Sequence, residues 1–368
     1  MNIRRFAELS LVISGFILNS GQGLAGTWQN AVSSRVVTEF DSNPVMSSTN
    51  PVSIWRFVLE PGYTFLGKIG EDELKAGLGL QIERSSNKTL SQNRDSPYAF
   101  VEWLHQMDKG EFGISTRYAE IATRNATIDA ISLVPVNSTR ASSTTSGRWS
   151  RAVSERNTIA VDGFYESVHY NGGNFVDFAH QSGGVKLSHA LSELSTTFLR
   201  LSGEKYLPAD DGPSSRQALA TLGFDWKVEN TDLTMQLGNY RGGGNSGWQG
   251  GATVLSTGQQ TQLTLNANRQ ITSSGLGGFV KADQVSGNWS YAFSQNSNIG
   301  IDMQWLKNHS ISINNIHTTA GVWLQRNINP VWSMRTYYLH NNIGGGVGVE
   351  SASSNIIGLS FVYSDSDF

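Results

Sequence analysis

Segment after segment, the chain alternates apolar and polar residues with a period of two. Leu74, Ala76, Leu78, Leu80 and Ile82 share one parity; Lys75, Gly77, Gly79, Gln81 and Glu83 share the other. Trp55, Phe57, Leu59, Tyr63 and Phe65 alternate against Arg56, Glu60 and Thr64. Leu222, Phe224, Trp226 and Val228 do the same, as do Trp289, Tyr291 and Phe293. A helix would scatter both sets around its axis, whereas a strand puts each set on one face. The pattern predicts strands near 32–41, 52–69, 72–84, 97–106, 110–123, 145–154, 158–170, 176–189 and 194–206. It continues at 216–228, 231–241, 248–256, 260–272, 281–296, 299–309, 317–327, 331–342 and 354–363.

The connections carry more information than the strands. Every second one is tight, as at 69–72, 106–110, 154–158, 228–231, 256–260, 296–299 and 327–331. The others are mostly longer and rich in Ser, Asn, Gly, Asp and Pro: 41–52, 85–96, 125–144, 207–215, 273–280, 309–316 and 344–353. Membrane barrels show this alternation, with short periplasmic turns and longer external loops. The expected fold is therefore all-β, a transmembrane antiparallel up-and-down β-barrel of about 18 strands. Sixteen is the alternative, because 31–40 and 248–256 are weakly patterned. A barrel of either size leaves an aqueous channel unless something plugs it.

The medium decides which face is which. A charge in mid-bilayer on the lipid face costs about 2–4 kcal/mol. Arg56, Glu60, Lys75, Glu83, Glu102, Arg200, Glu204, Asp225, Lys227 and Asp302 are therefore expected to point into the lumen. Both signs occur, with no single-sign filter, which suits a polar rather than strongly ionic cargo. The competing reading is that these charges solvate a wet interior and pair across strands. Most aromatics are expected at the membrane rims and against lipid, with Trp323 and Tyr240 as lumen candidates for stacking on a sugar ring. The long loop 125–144 contains an apolar stretch, 128–136, that either folds into the mouth or packs on neighbouring loops.

Residues 1–25 read as a secretory signal peptide, with Arg4 and Arg5 before an apolar run and small residues at Gly23 and Ala25. The barrel is then expected over 26–368. Its last segment, 355–368, carries Gly358, Phe361 and Tyr363 in the order Gly-x-x-aromatic-x-aromatic, followed by Phe368. This resembles the C-terminal signal that outer-membrane barrels present to their insertion machinery. Ile356 stands where that pattern has a polar residue.

Composition narrows the classes further. Only 38% of the residues are apolar, while Gly is 39, Trp 10, Tyr 11 and Phe 16. That suits a sheet with one apolar and one polar face better than a two-sided core. There is no Cys, which removes thiol catalysis and thiolate metal sites. The formal charge of −3 gives no nucleic-acid footprint.

Candidate chemistry is sparse. His180-Gln181-Ser182-Gly183-Gly184 is similar to the His-Gln-Ser-Asn-Gly of outer-membrane phospholipases A, and His180 and Ser182 would share a strand face. Gly183 replaces the Asn, and Leu194 stands where that family orients its His with an Asn. A lipid hydrolase is thus the least favoured reading. The remaining histidines show no metal-ligand spacing, so no metal or cofactor is expected.

The segment TEFDSNP at 38–44, followed by WRFVLEPGYTF at 55–65, resembles the opening of the β-barrel porin family found beside exopolysaccharide and capsule export genes. The resemblance implies an outer-membrane component of polysaccharide secretion, and no catalytic residues carry over. A general diffusion or sugar-uptake porin is the alternative. The expected partners are outer-membrane lipids, the barrel-insertion machinery and polysaccharide, in a monomer.

Overall fold

The computed structural model describes residues 26–123, 138–173, 175–210, 212–242, 245–309, 314–344 and 350–366. They form eighteen strands. These begin with β1 (Thr27–Asp41), β2 (Ile54–Ile69), β3 (Asp72–Ser85), β4 (Arg94–Met107), β5 (Gly110–Ala122) and β6 (Thr139–Ala152). Next come β7 (Asn157–Asn171), β8 (Phe178–Ser192), β9 (Ser195–Pro208), β10 (Ser215–Val228), β11 (Thr231–Gly242) and β12 (Asn245–Thr257). The set ends with β13 (Thr261–Ser274), β14 (Gly278–Ser294), β15 (Ser297–His309), β16 (Asn314–Asn327), β17 (Trp332–Gly344) and β18 (Ala352–Ser366).

Each strand pairs antiparallel with its sequence neighbours, and β1 closes on β18 with Ala31 opposite Ser366 and Asp41 opposite Ile356. The barrel is a closed up-and-down meander of eighteen strands, so the sixteen-strand alternative falls. Closure leaves no sheet edge, and every wall amide and carbonyl has a neighbour to pair with. The two weakly patterned segments are full members of the sheet. β1 is flanked by β2 and β18, and β12 by β11 and β13.

The largest boundary difference from expectation is at β6. Residues 139–144, read from composition as loop, belong to β6. The Ser/Thr run fits a strand because it is paired on both sides, with 117–122 of β5 and 166–171 of β7, and Arg140 donates to Glu166 of β7 at 2.7 Å. Tight turns close the opposite end of the barrel. In the first of them Gly70 takes φ +58°, the left-handed conformation that such two-residue hairpins require.

Two contacts fix which way the side chains point. Tyr206 on β9 donates its hydroxyl to the carbonyl of Ser274 on β13 at 3.1 Å. His180 on β8 meets Phe279 on β14 with ring centroids 5.7 Å apart. Strands this far apart around a closed sheet touch only through its interior, so Tyr206 and His180 point inward. The register then assigns the rest of the wall, because directly paired residues share a face. Leu222 and Leu237 face outward, 64% and 62% exposed, with Leu78, Trp55 and Ile357 on the same face. An apolar belt of this extent is stable against lipid, not water. Paired aromatics ring its short-turn end: Trp28 with Phe65, Trp103 with Phe112, Trp289 with Tyr291, and Trp332 with Tyr363. Phe361 and Tyr363 both belong to this outward face, and Gly358 to the inner one. Phe368 and the leader 1–25 lie outside the described residues.

Candidate functional site

The barrel interior is the candidate site. At its long-connection end the β13–β14 hairpin leaves the wall and crosses toward β7–β9. Its tip is only Gly275, Leu276 and Gly277, and Gly277 has φ +97°. The backbone amide of Val176 donates to the carbonyl of Gly275 at 2.8 Å, and Tyr206 holds Ser274. Tyr170, Phe175, Phe178 and Tyr206 form an aromatic cluster under this crossing, with Phe279 packed against it. Tyr206 is completely buried. The interior mouth is therefore narrowed by a hairpin anchored through aromatic packing and two hydrogen bonds.

This was not legible as such. The segment 273–280 reads as an external loop, yet the strands run to Ser274 and restart at Gly278. The available signal was Phe279 and Val280 directly after Gly277 and Gly278, apolar residues with no reason to stand in solvent. The apolar stretch 128–136, the other candidate for folding into the mouth, lies outside the described residues.

The register puts all ten charged candidates on the inner face, and the structure shows what each meets. Arg56 lies against Glu39 at 2.5 Å and Asp41 at 3.0 Å. Glu60 accepts from Gln81 at 2.6 Å and pairs with Arg35 at 3.2 Å. Glu83 accepts from the hydroxyl of Ser91 at 2.9 Å. Lys75 stands opposite Glu102 and over the Phe100 ring, and Glu102 lies 3.9 Å from Arg117. Arg200 holds Asp162 at 2.5 Å. Glu204 accepts from Gln217 at 2.7 Å and faces His180 at 3.4 Å. Lys227 lies 3.9 Å from Asp232 near the short turns, where Asp225 also points inward. Asp302 meets Arg335 at 3.5 Å and accepts from Asn288.

Sequence reading missed the most consolidated part of this network, at the seam where the barrel closes. Glu39 accepts from Arg56 and from the hydroxyl of Tyr337 at 2.9 Å. Asp41 accepts from Arg56 and from Ser354 of β18 at 2.5 Å. Tyr337 reaches Glu39 because it lies flat over Gly358, its partner on β18, where a Cβ would sit 2.1 Å from the phenol ring. Trp323 lies over Gly300 in the same way, and Arg335 stacks on its indole at 4.2 Å.

On β12, β13 and β14 the inner positions carry no charged residue. They present Gln249, Thr253, Asn266, Asn268, Gln284 and Asn288, with Tyr240 beside them on β11. Thr253 donates to Asn266 at 2.7 Å.

The hydrolase candidate does not survive its placement. His180 and Ser182 share a face, but that face is the interior, where His180 is enclosed by Phe164, Phe279 and Glu204. A phospholipid in the surrounding bilayer does not reach it.

No family model matches the chain, and no curated protein matches it. Solved structures do. The outer membrane protein OpdK of Pseudomonas aeruginosa is 11% identical; the match covers 92% of this chain and 99% of that one, with a TM-score of 0.53. OccK7 (OpdD) of the same organism is 9% identical over 94% of this chain and 100% of that one, with a TM-score of 0.50. The fold is that of an outer-membrane porin. At these identities the likeness extends to strand number, closure and length, and not to particular residues. The porin barrel has its long connections on the side where the hairpin crosses, the external side in barrels of this kind.

Proposed function

We propose that the protein is an outer-membrane channel through which small polar, uncharged solutes, sugars among them, diffuse inward. The observation that carries this reading is the interior: carboxylates and cations of β1–β9 held mostly by one another, facing a wall of amides, hydroxyls and aromatic rings. Paired charges give little net field to attract or repel an ion. Amides and hydroxyls exchange hydrogen bonds with a polyhydroxylated solute, and Tyr240 and Trp323 offer ring faces beside them. OpdK has also been crystallised with vanillate, and that structure is 12% identical with a TM-score of 0.52 over 92% of this chain and 98% of that one. A preference for anions does not follow here, because Arg35, Arg56, Arg117, Arg140, Arg148, Arg200 and Arg335 each lie within ion-pair distance of a carboxylate.

Export of exopolysaccharide, implied by the sequence resemblance, has less support. A polymer would have to pass the anchored β13–β14 hairpin. Osmotic swelling of liposomes holding the purified protein separates the two. Uptake of mono- and disaccharides with exclusion of long polymer is the expected result. Absence of swelling with every small sugar would overturn the uptake reading.

A further inference from the structure

The outer surface holds a group of charges that transport does not use. Lys205 on β9 and Arg216 on β10 are direct partners in the register, and both point outward at the long-connection end. On β11, Arg241 is the partner of Ala218, which places it diagonally next to Arg216 on the same face. Three cations thus stand on three adjacent strands. None has a carboxylate within ion-pair distance among the described residues. Like charges directly opposite one another on a sheet are destabilising unless something neutralises them.

Other outward cations at this end stand beside a carboxylate. At the same end, Arg269 on β13 is held by Asp283 at 2.6 and 2.8 Å, stacks on Trp248 at 4.1 Å, and shares Asp283 with His309. Arg84 on β3 is held by Asp95 at 2.7 Å. Lys281 and Lys307 make no ion pair among the described residues, but Lys307 is the register partner of Asp283 and Lys281 lies two residues from Asp283 on the same face. The Lys205–Arg216–Arg241 group lacks such a carboxylate and sits above the apolar belt of Leu201, Leu222 and Leu237, where the headgroups of the outer leaflet lie.

We propose that Lys205, Arg216 and Arg241 form a docking site for a phosphorylated glycolipid of the outer leaflet, its phosphate bridging the three cations and its acyl chains lying along Leu201, Leu222 and Leu237. Guanidinium groups suit this ligand because they bind phosphate oxygens in a bidentate fork, and the lysine adds a point charge. The apolar residues below supply the contact that a free anion would not use. The inference rests on the outer-membrane reading above.

Native mass spectrometry of the full-length barrel, delipidated and re-exposed to a bisphosphorylated glycolipid or to its dephosphorylated form, tests it. Retention of the phosphorylated lipid alone is expected, falling roughly tenfold or more in Lys205→Gln/Arg216→Gln/Arg241→Gln. The Arg151→Gln variant, changed at the short-turn end, should retain it like wild type. Equal retention of both lipids, or an unaffected triple variant, would overturn the site. Displacement by millimolar inorganic phosphate would make it a general anion site and remove the lipid. Sugar permeation through the same preparation reports separately on the channel, so a conducting barrel that holds no glycolipid refutes this inference alone.

Discussion

The two sides of the interior solve one problem by opposite means. Around the closing seam, β1, β2, β17 and β18 bring Arg56, Glu39, Asp41, Tyr337 and Ser354 into a nearly dry network. Across the lumen, β12–β14 offer only neutral polar groups, lightly bonded to each other. The seam strands lie at opposite ends of the sequence, and their closure depends on long-range contacts. Strongly coupled charges there penalise any mismatch in register, because a buried ion without its partner is costly. The amide wall is formed by consecutive hairpins whose register is set locally by tight connections, so it is free to stay neutral and solute-facing. The difference assigns rigidity to one side and passage to the other.

The largest test of this division is Arg56→Ala. It strands Asp41, which is buried with it, and the half-buried Glu39, and is expected to cost about 3–5 kcal/mol in urea unfolding from lipid vesicles. A cost no larger than that of an amide-wall substitution would remove the distinction. Gly358→Val comes next. A side chain there displaces Tyr337 from Glu39, and a loss of about 1–3 kcal/mol is expected in the same assay. Tyr206→Phe removes the bond to Ser274 while keeping the ring packed, so about 1 kcal/mol is expected. Single-channel recordings should show larger or noisier conductance as the hairpin loosens, and an unchanged trace would mean that aromatic packing and the Val176–Gly275 bond suffice to anchor it. The smallest effect is expected at Thr253→Ala, about 0.5 kcal/mol or less, with sugar permeation altered more than stability.

What the sequence made legible was whatever repeats locally. Period-two alternation at 74–83 and 222–228 located strands, and tight turns such as 228–231 set strand direction. From these follow the face of Arg56 or Asp302 and the even strand count. What it concealed depends on contacts between distant strands. Nothing near Phe279 announces Tyr206 or His180, which lie across the barrel, and the hairpin 273–280 therefore read as a loop. The Ser/Thr run 139–144 misled because its composition matches a linker, whereas pairing with β5 on one side and β7 on the other makes it a wall strand. The pairing of Lys205 with Arg216 is invisible until the register of β9 against β10 is known.

A porin of this kind needs an interior that is open yet nearly free of net field. Single-channel recording in a planar bilayer across a potassium chloride gradient measures both properties at once. It should give a steady conductance with a reversal potential close to zero. A barrel that never conducts, or one whose reversal potential approaches the value for a single ion species, would contradict the uptake reading.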